Sequence, residues 1–410
     1  MLQEMTTMTH PRMTILSAGL DYYKFTMSQL QYEQMPDVQV TFGLINRSAV
    51  RLVDMIDIDA LRHDLEVLRQ RGFGADELDY LAGLRTTQGT LVFAPAYLEW
   101  LAGVHLPAVE VWVDGDLCVQ ASGAWPLVTF WETVVMSAIN QHYFAGYLRH
   151  HGLNLADVYA EGMRRLDAKI ALLQQYPGIK IVDFGTRRHF GFDWQTQVVA
   201  HMQQQCPSQL IGTSNVALAQ QFGLRPIGTF AHEMPMVYAA VAEHQGREVR
   251  HSHQRFLHDW YARYGVDLSI ALTDTFGSGF FFRDFTATQA QQWRGVRHDS
   301  GDPLAFGERV IGFYQRHGID ARTKTIVFSD SLTVERIVEL YRRFEGRINV
   351  VFGWGTNLTN DVGLTPLNIV MKTISADGVA TVKLSDHVGK HMGPQEKIER
   401  YKSAHFNAVV

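Results

Sequence analysis

The chain has 410 residues, 46% of them hydrophobic and 19% charged, and a net charge of −5. That length and apolar content suit a large core or two domains, and nothing in the charge balance points to nucleic acid or an anionic membrane as partner. Its two cysteines, Cys118 and Cys206, lie in no CxxC or Cys/His cluster, so neither a zinc site nor a disulfide framework is suggested. Met1 to Arg12 lacks the basic-then-apolar pattern of a signal peptide. No apolar run approaches the roughly 18 residues of a membrane span. A soluble, cytoplasmic protein is expected.

In the first third, Asp21-Tyr22-Tyr23-Lys24 precedes a helical-looking Phe25 to Gln34; locally it reads as a cap followed by surface aromatics. Val38 to Ile45 reads as a strand, and Asp57 to Arg71 and Asp76 to Leu84 as helices. Val109 to Val113 and Leu117 to Ala121, joined by Asp114-Gly115, give a hairpin signal. Helical spacing covers Glu132 to Tyr147 and about Leu155 to Gln175. These elements predict an N-terminal α+β domain over residues 1–150.

From Gly178 onward the texture changes to apolar run, polar cluster, helix. The runs end at Asp183-Phe184-Gly185-Thr186-Arg187, Gly212-Thr213-Ser214-Asn215, Gly228-Thr229-Phe230-Ala231-His232-Glu233 and Thr273-Asp274-Thr275. Three more end at Arg297-His298-Asp299-Ser300-Gly301-Asp302, Ser329-Asp330-Ser331 and Gly353-Trp354-Gly355-Thr356-Asn357. Buried parallel strands look like this when their C-terminal ends converge on one polar site. The fold class is therefore α/β, with an irregular α/β barrel over residues 151–366 and Leu367 to Met371 as its eighth strand. An open doubly wound sheet is the alternative. Asn368 to Ser375 and Val379 to Leu384 form a second Asp-Gly hairpin, and the region 367–410 is expected to complete the first domain.

The clusters carry the chemistry. Gly353 and Gly355 let backbone N–H groups approach a phosphate; the same residues serve a tight turn, and the other six clusters favour phosphate. Arg297 suits a phosphate, and Asp299 suits ribose hydroxyls or a water-bridged Mg²⁺. Asp302-Pro303 reads as a helix cap. Phe184 and Arg187 suit a flat anionic ligand, although this motif alone fits a core ring with solvated arginines slightly better. His232 offers a nucleophile for a phosphoryl group. Asp274 and Asp330 read equally as ligands to ribose or metal and as helix caps.

Taken in order, these motifs and Asp21-x-Tyr23-Lys24 resemble the nicotinate phosphoribosyltransferase family in its bacterial, ATP-coupled form, over nearly the full length. The resemblance implies a type II phosphoribosyltransferase-like fold. It implies that nicotinate and phosphoribosyl pyrophosphate give nicotinate mononucleotide and pyrophosphate, driven by ATP through a phosphohistidine at His232, with Mg²⁺ required. Phe184 would stack on the pyridine ring, and Tyr23 from the partner subunit of a homodimer would form the other face. Arg187 would lie near the substrate carboxylate or phosphate, and Arg297 and Asp299 at the phosphoribosyl group. Asp330 would meet its ribose, and Gly353, Gly355 and Thr356 its 5′-phosphate. Thr213, Ser214 and Asp274 are further substrate-binding candidates. Trp354 is bulkier than the small or aliphatic residue expected in such a loop.

The nearest rival is nicotinamide phosphoribosyltransferase, whose members tend to carry Asp where this chain has Ser214. An uncharged Ser214 favours the carboxylate substrate. A quinolinate enzyme needs no nucleophilic His. A sugar-phosphate lyase needs a strand-end Lys, and Lys372 and Lys383 fall in the terminal hairpin instead. A non-catalytic sensor has no use for His232 and Asp299 together.

Overall fold

The computed structural model describes residues 15–406, so Met1 to Arg12, read above for a leader, lies outside the described residues. Among the described residues no helix is long and apolar enough to cross a membrane. The strands in chain order are β1 (Gln39–Asn46), β2 (Val109–Asp114), β3 (Asp116–Ala124), β4 (Ile181–Asp183), β5 (Leu210–Thr213) and β6 (Ile270–Leu272). They continue with β7 (Gly295–His298), β8 (Thr325–Phe328), β9 (Asn349–Trp354), β10 (Ile369–Ala376) and β11 (Val379–Ala380). One sheet is antiparallel in the order β11-β10-β1-β3-β2; the other is parallel in the order β5-β4-β9-β8-β7-β6.

Local chemistry explains most elements. Asp114 pairs with Asp116 across Gly115 alone, at a φ of 69° that suits glycine, so the first hairpin is tighter than the expected two-residue turn; the second does turn on two residues, Asp377 and Gly378, between Ala376 and Val379. Asp302 accepts from the Leu304 N–H at 3.0 Å and Pro303 opens the helix Pro303–Arg316, as the sequence predicts. The helix Val334–Phe344 buries Val334, Ile337, Val338, Leu340 and Phe344 on one face. At about 1.5–3 kcal/mol for each large apolar side chain, that face rather than helix propensity holds it in place.

Three expectations are corrected. Leu367 to Met371 is no barrel strand: Ile369 opens β10, which pairs with β1 from Val40 to Asn46. The run before His232 is not a strand either. Pro226 bridges Thr213 in parallel, but its missing N–H cannot extend a ladder. No ladder joins β5 to β6 among the described residues, so the parallel sheet is irregular at that point. In the second hairpin, the return arm pairs for only two residues. It then turns away, with the Leu384 N–H donating to the Thr275 carbonyl at 2.8 Å, and takes Lys383 to the strand ends of the other sheet.

Candidate active site

A cavity of about 560 Å³ lies at the C-terminal ends of the parallel strands, with β10 and the segment after β11 along its other side. All candidate residues line it except Thr213 and Asp274. Thr213 is buried and donates to Asp183 Oδ2 at 2.7 Å, so it braces a strand end instead of facing a ligand. Asp274 stands behind His232, its Oδ1 3.8 Å from Nε2. Its Oδ2 accepts from Ser300 at 2.5 Å and Ser385 at 3.2 Å.

His232 is the best-held side chain in the cavity. Nδ1 lies 2.9 Å from Thr275 Oγ1, and Nε2 lies 2.9 Å from Asp299 Oδ2. Burial pushes its pKa down to about 4, with Lys383 adding to the fall and Asp274 and Asp299 opposing it. Burial alone would raise Asp299, but the His232 hydrogen bond and the Arg297 guanidinium hold it well below the usual carboxylate range. The carboxylate accepts, so Nε2 carries the hydrogen and Nδ1 keeps a lone pair on the Thr275 hydroxyl. Ser329 donates to the other oxygen of Asp299 at 3.0 Å. Arg297 Nε is buried without a hydrogen-bond partner, so this guanidinium still has donors to offer. Asp330 accepts from Lys390 at 2.8 Å.

Phe184 and Tyr23 of this chain both line the cavity as its aromatic wall. A Cβ on Gly353 would lie 2.4 Å from Phe184 Cδ2, so that glycine is needed by the ring as much as by any phosphate. Tyr23 lines the same cavity, and Gly228 admits it, since a Cβ there would come within 3.2 Å of Tyr23 Cβ. Trp354 does not crowd the loop. It alternates away from Gly353, is fully buried, and donates Nε1 to the Leu332 carbonyl at 3.2 Å.

The Ser214 reasoning is incomplete. Its hydroxyl donates to Asp21 Oδ1 at 2.6 Å, and Asp21 also lines the cavity, so a carboxylate stands beside the uncharged residue. Sequence reasoning also missed Arg47, Arg188, Lys372, Lys383 and Lys390, all of which line the cavity. Lys372 and Lys383, set aside as terminal-hairpin residues, were missed because their neighbours there are distant in sequence. The one available signal was the alternation of β10. Among the described residues lining the cavity, seven are Arg or Lys and four are Asp, which suits an anionic ligand.

Comparison with known proteins completes the description. The nicotinate phosphoribosyltransferase (NAPRTase) family matches residues 179–409, and the N-terminal domain of that family matches residues 20–140. A nicotinate phosphoribosyltransferase structure from Porphyromonas gingivalis is similar at 32% identity, covering 94% of this chain and 98% of its own, with a TM-score of 0.83. One from Vibrio cholerae is similar at 30% identity, covering 98% and 96%, with a TM-score of 0.87.

Proposed function

The chain belongs to the nicotinate phosphoribosyltransferase family and is an enzyme, and from that premise we propose how its cavity performs the transfer. Nicotinate's ring nitrogen attacks the anomeric carbon of phosphoribosyl pyrophosphate as the C–O bond to pyrophosphate breaks. The ring nitrogen is already a nucleophile, so positioning and electrostatics do most of the work. Phe184 and Tyr23 hold the pyridine. Arg297 offers its free donors to the phosphoribosyl group, and Asp299 and Asp330 face the positive charge that develops on ribose. The backbone at Gly353, Gly355 and Thr356 receives the 5′-phosphate.

ATP enters through His232. Its γ-phosphoryl group passes to the Nδ1 lone pair once the Thr275 hydroxyl releases it, with ADP as leaving group, and water later releases phosphate. The observation that carries this reading is the neutral, oriented imidazole: buried, fixed on both nitrogens, and kept unprotonated near neutral pH. Mg²⁺ fits the oxygen donors present, since Asp274 Oδ1 is buried without a hydrogen-bond partner and lies within 4.8 Å of an Asp299 carboxylate oxygen in a cluster with His232. Asp274 and Asp299 would hold the ion, which would neutralise charge on pyrophosphate. The reading includes a cytoplasmic homodimer.

Asp21 beside Ser214 favours the amide as the alternative substrate, and the cation excess favours the carboxylate. Product formation from nicotinate and nicotinamide, with and without ATP, separates them. We expect turnover of nicotinate only, stimulated by ATP, with the stimulation lost in His232→Ala. Turnover of nicotinamide, or unchanged stimulation in the variant, would overturn the reading.

A further inference from the structure

Glu132, on the helix Trp131–His151, is buried, and three cations converge on it. Lys24 lies 2.6 Å from Oε2, Lys372 lies 2.6 Å from Oε1, and Arg187 lies 3.6 Å from Oε1. Lys24 is also held by Glu233 at 2.6 Å and Thr129 at 3.3 Å. Two carboxylates and a hydroxyl thus surround the Lys24 ammonium. Lys372 and Arg187 instead line the cavity. Glu132 takes one donor of Lys372, and no second hydrogen bond from that ammonium is formed among the described residues.

Lys24, Lys372 and Arg187 face Glu132 and Glu233. Asp21 and Asp299 also act on Arg187, whereas Lys372 has Glu132 as its one carboxylate and Lys383 beside it as a further cation. A buried charge is costly until an anion completes it. Arg187, on the same oxygen of Glu132 as Lys372, acts on Tyr23 of the aromatic wall. Arg297, Asp299 and Asp330 are grouped instead around His232 and Lys390.

We infer that Lys372, held by Glu132 with Lys24 as backing, is the specificity-determining cation that reads the carboxylate of the pyridine substrate. The inference rests on the nicotinate reading and deepens it. Lys372 also has a signature in pH. Burial pushes it down to about 8, with Arg187 and Lys383 lowering it further and Glu132 opposing them. The groups facing it are Glu132, Arg187 and Lys383, with Lys24 on the far oxygen of Glu132.

Steady-state kinetics of Lys372→Met and Lys372→Arg test this, with nicotinate, nicotinamide and phosphoribosyl pyrophosphate varied in turn. Lys372→Met should raise KM for nicotinate about tenfold or more, as loss of a charge-assisted hydrogen bond does. KM for phosphoribosyl pyrophosphate should hold within about twofold, the loss being confined to the pyridine. Lys372→Arg should recover part of the nicotinate affinity. In the wild type, KM for nicotinate should climb from about pH 7 to about pH 9 as Lys372 loses its proton; in the arginine variant the climb should vanish. A rise in KM for phosphoribosyl pyrophosphate instead, or an unchanged nicotinate KM in a variant with wild-type circular dichroism, would overturn the inference. A wild type that turns over neither pyridine would overturn the nicotinate reading itself.

Discussion

Lys24 and Lys372 sit on the two oxygens of one carboxylate, each 2.6 Å from Glu132, and there the likeness ends. Lys24, under the cavity floor, is fully buried, yet its pKa is raised. Burial lowers it, and the combined pull of Glu132 and Glu233 outweighs burial. Lys372, on the cavity wall, has one carboxylate and two cationic neighbours, and burial wins. A structural charge is saturated by its surroundings. A charge meant for a ligand is left short of partners, at some cost to stability. His232 belongs with the second kind, since burial and Lys383 together outweigh its two carboxylates.

The largest expected effect breaks the saturated side. Lys24→Met leaves Glu233 without its cation in the core, and losing one partner of a buried pair costs about 3–5 kcal/mol. Chemical denaturation should show that loss. Adding Glu233→Gln should return part of it, because the stranded charge is then gone. Lys372→Met should instead melt at or above the wild-type temperature. If both variants lost equal stability, the distinction between the two lysines would fall.

The contrast also shows why the sequence was legible in some places and silent in others. Asp-Gly turns, the cap at Asp302 and the buried strand runs are local signals, and all but the runs before His232 and at Leu367 to Met371 matched the expected element. Phe184, His232, Arg297 and Asp299 could be singled out because they follow such runs. Thr213 and Asp274 share that placement, yet their side chains brace Asp183 and back His232. Position at a strand end does not say which way a side chain turns. Glu132 and Lys372 had no local signal. Their contact spans 240 positions and depends on β10 crossing beside β1, a pairing of two strands whose partners the sequence does not name. Period-two alternation did hold the answer for Trp354, because Gly353 and Trp354 must face opposite sides.

A smaller effect is expected on the aromatic wall. Gly353→Ala puts a methyl group 2.4 Å from the Phe184 ring, which must shift. Overpacking of this kind costs about 1–3 kcal/mol. Because the shift moves a ring and not a phosphate donor, KM for nicotinate should rise more than KM for phosphoribosyl pyrophosphate. The reverse pattern would assign Gly353 mainly to the phosphate.

The effect that separates the two kinds of charge most cleanly is the pH dependence of stability. His232 takes its proton near pH 4 in the native state and, at the ordinary value of 6.5, earlier in the unfolded chain. Between those values the unfolded chain binds more protons, so stability falls as pH falls, by up to about 1.4 kcal/mol per unit from this residue. Lys372 releases its proton near pH 8 in the native state and at the ordinary 10.5 when unfolded. Across that window too the unfolded chain holds more protons, so stability rises with pH. Lys24, whose value is raised, has the opposite sign: its contribution is present below the ordinary lysine range and is lost as pH climbs through its native value. Denaturation midpoints across the pH range for the wild type, His232→Gln and Lys372→Met should therefore converge in different windows. The His232 variant should flatten the acid side only, and the Lys372 variant should flatten the alkaline rise only. A Lys372 variant with an unchanged alkaline slope would mean that its ammonium is as well satisfied as that of Lys24, with no charge left to offer a substrate.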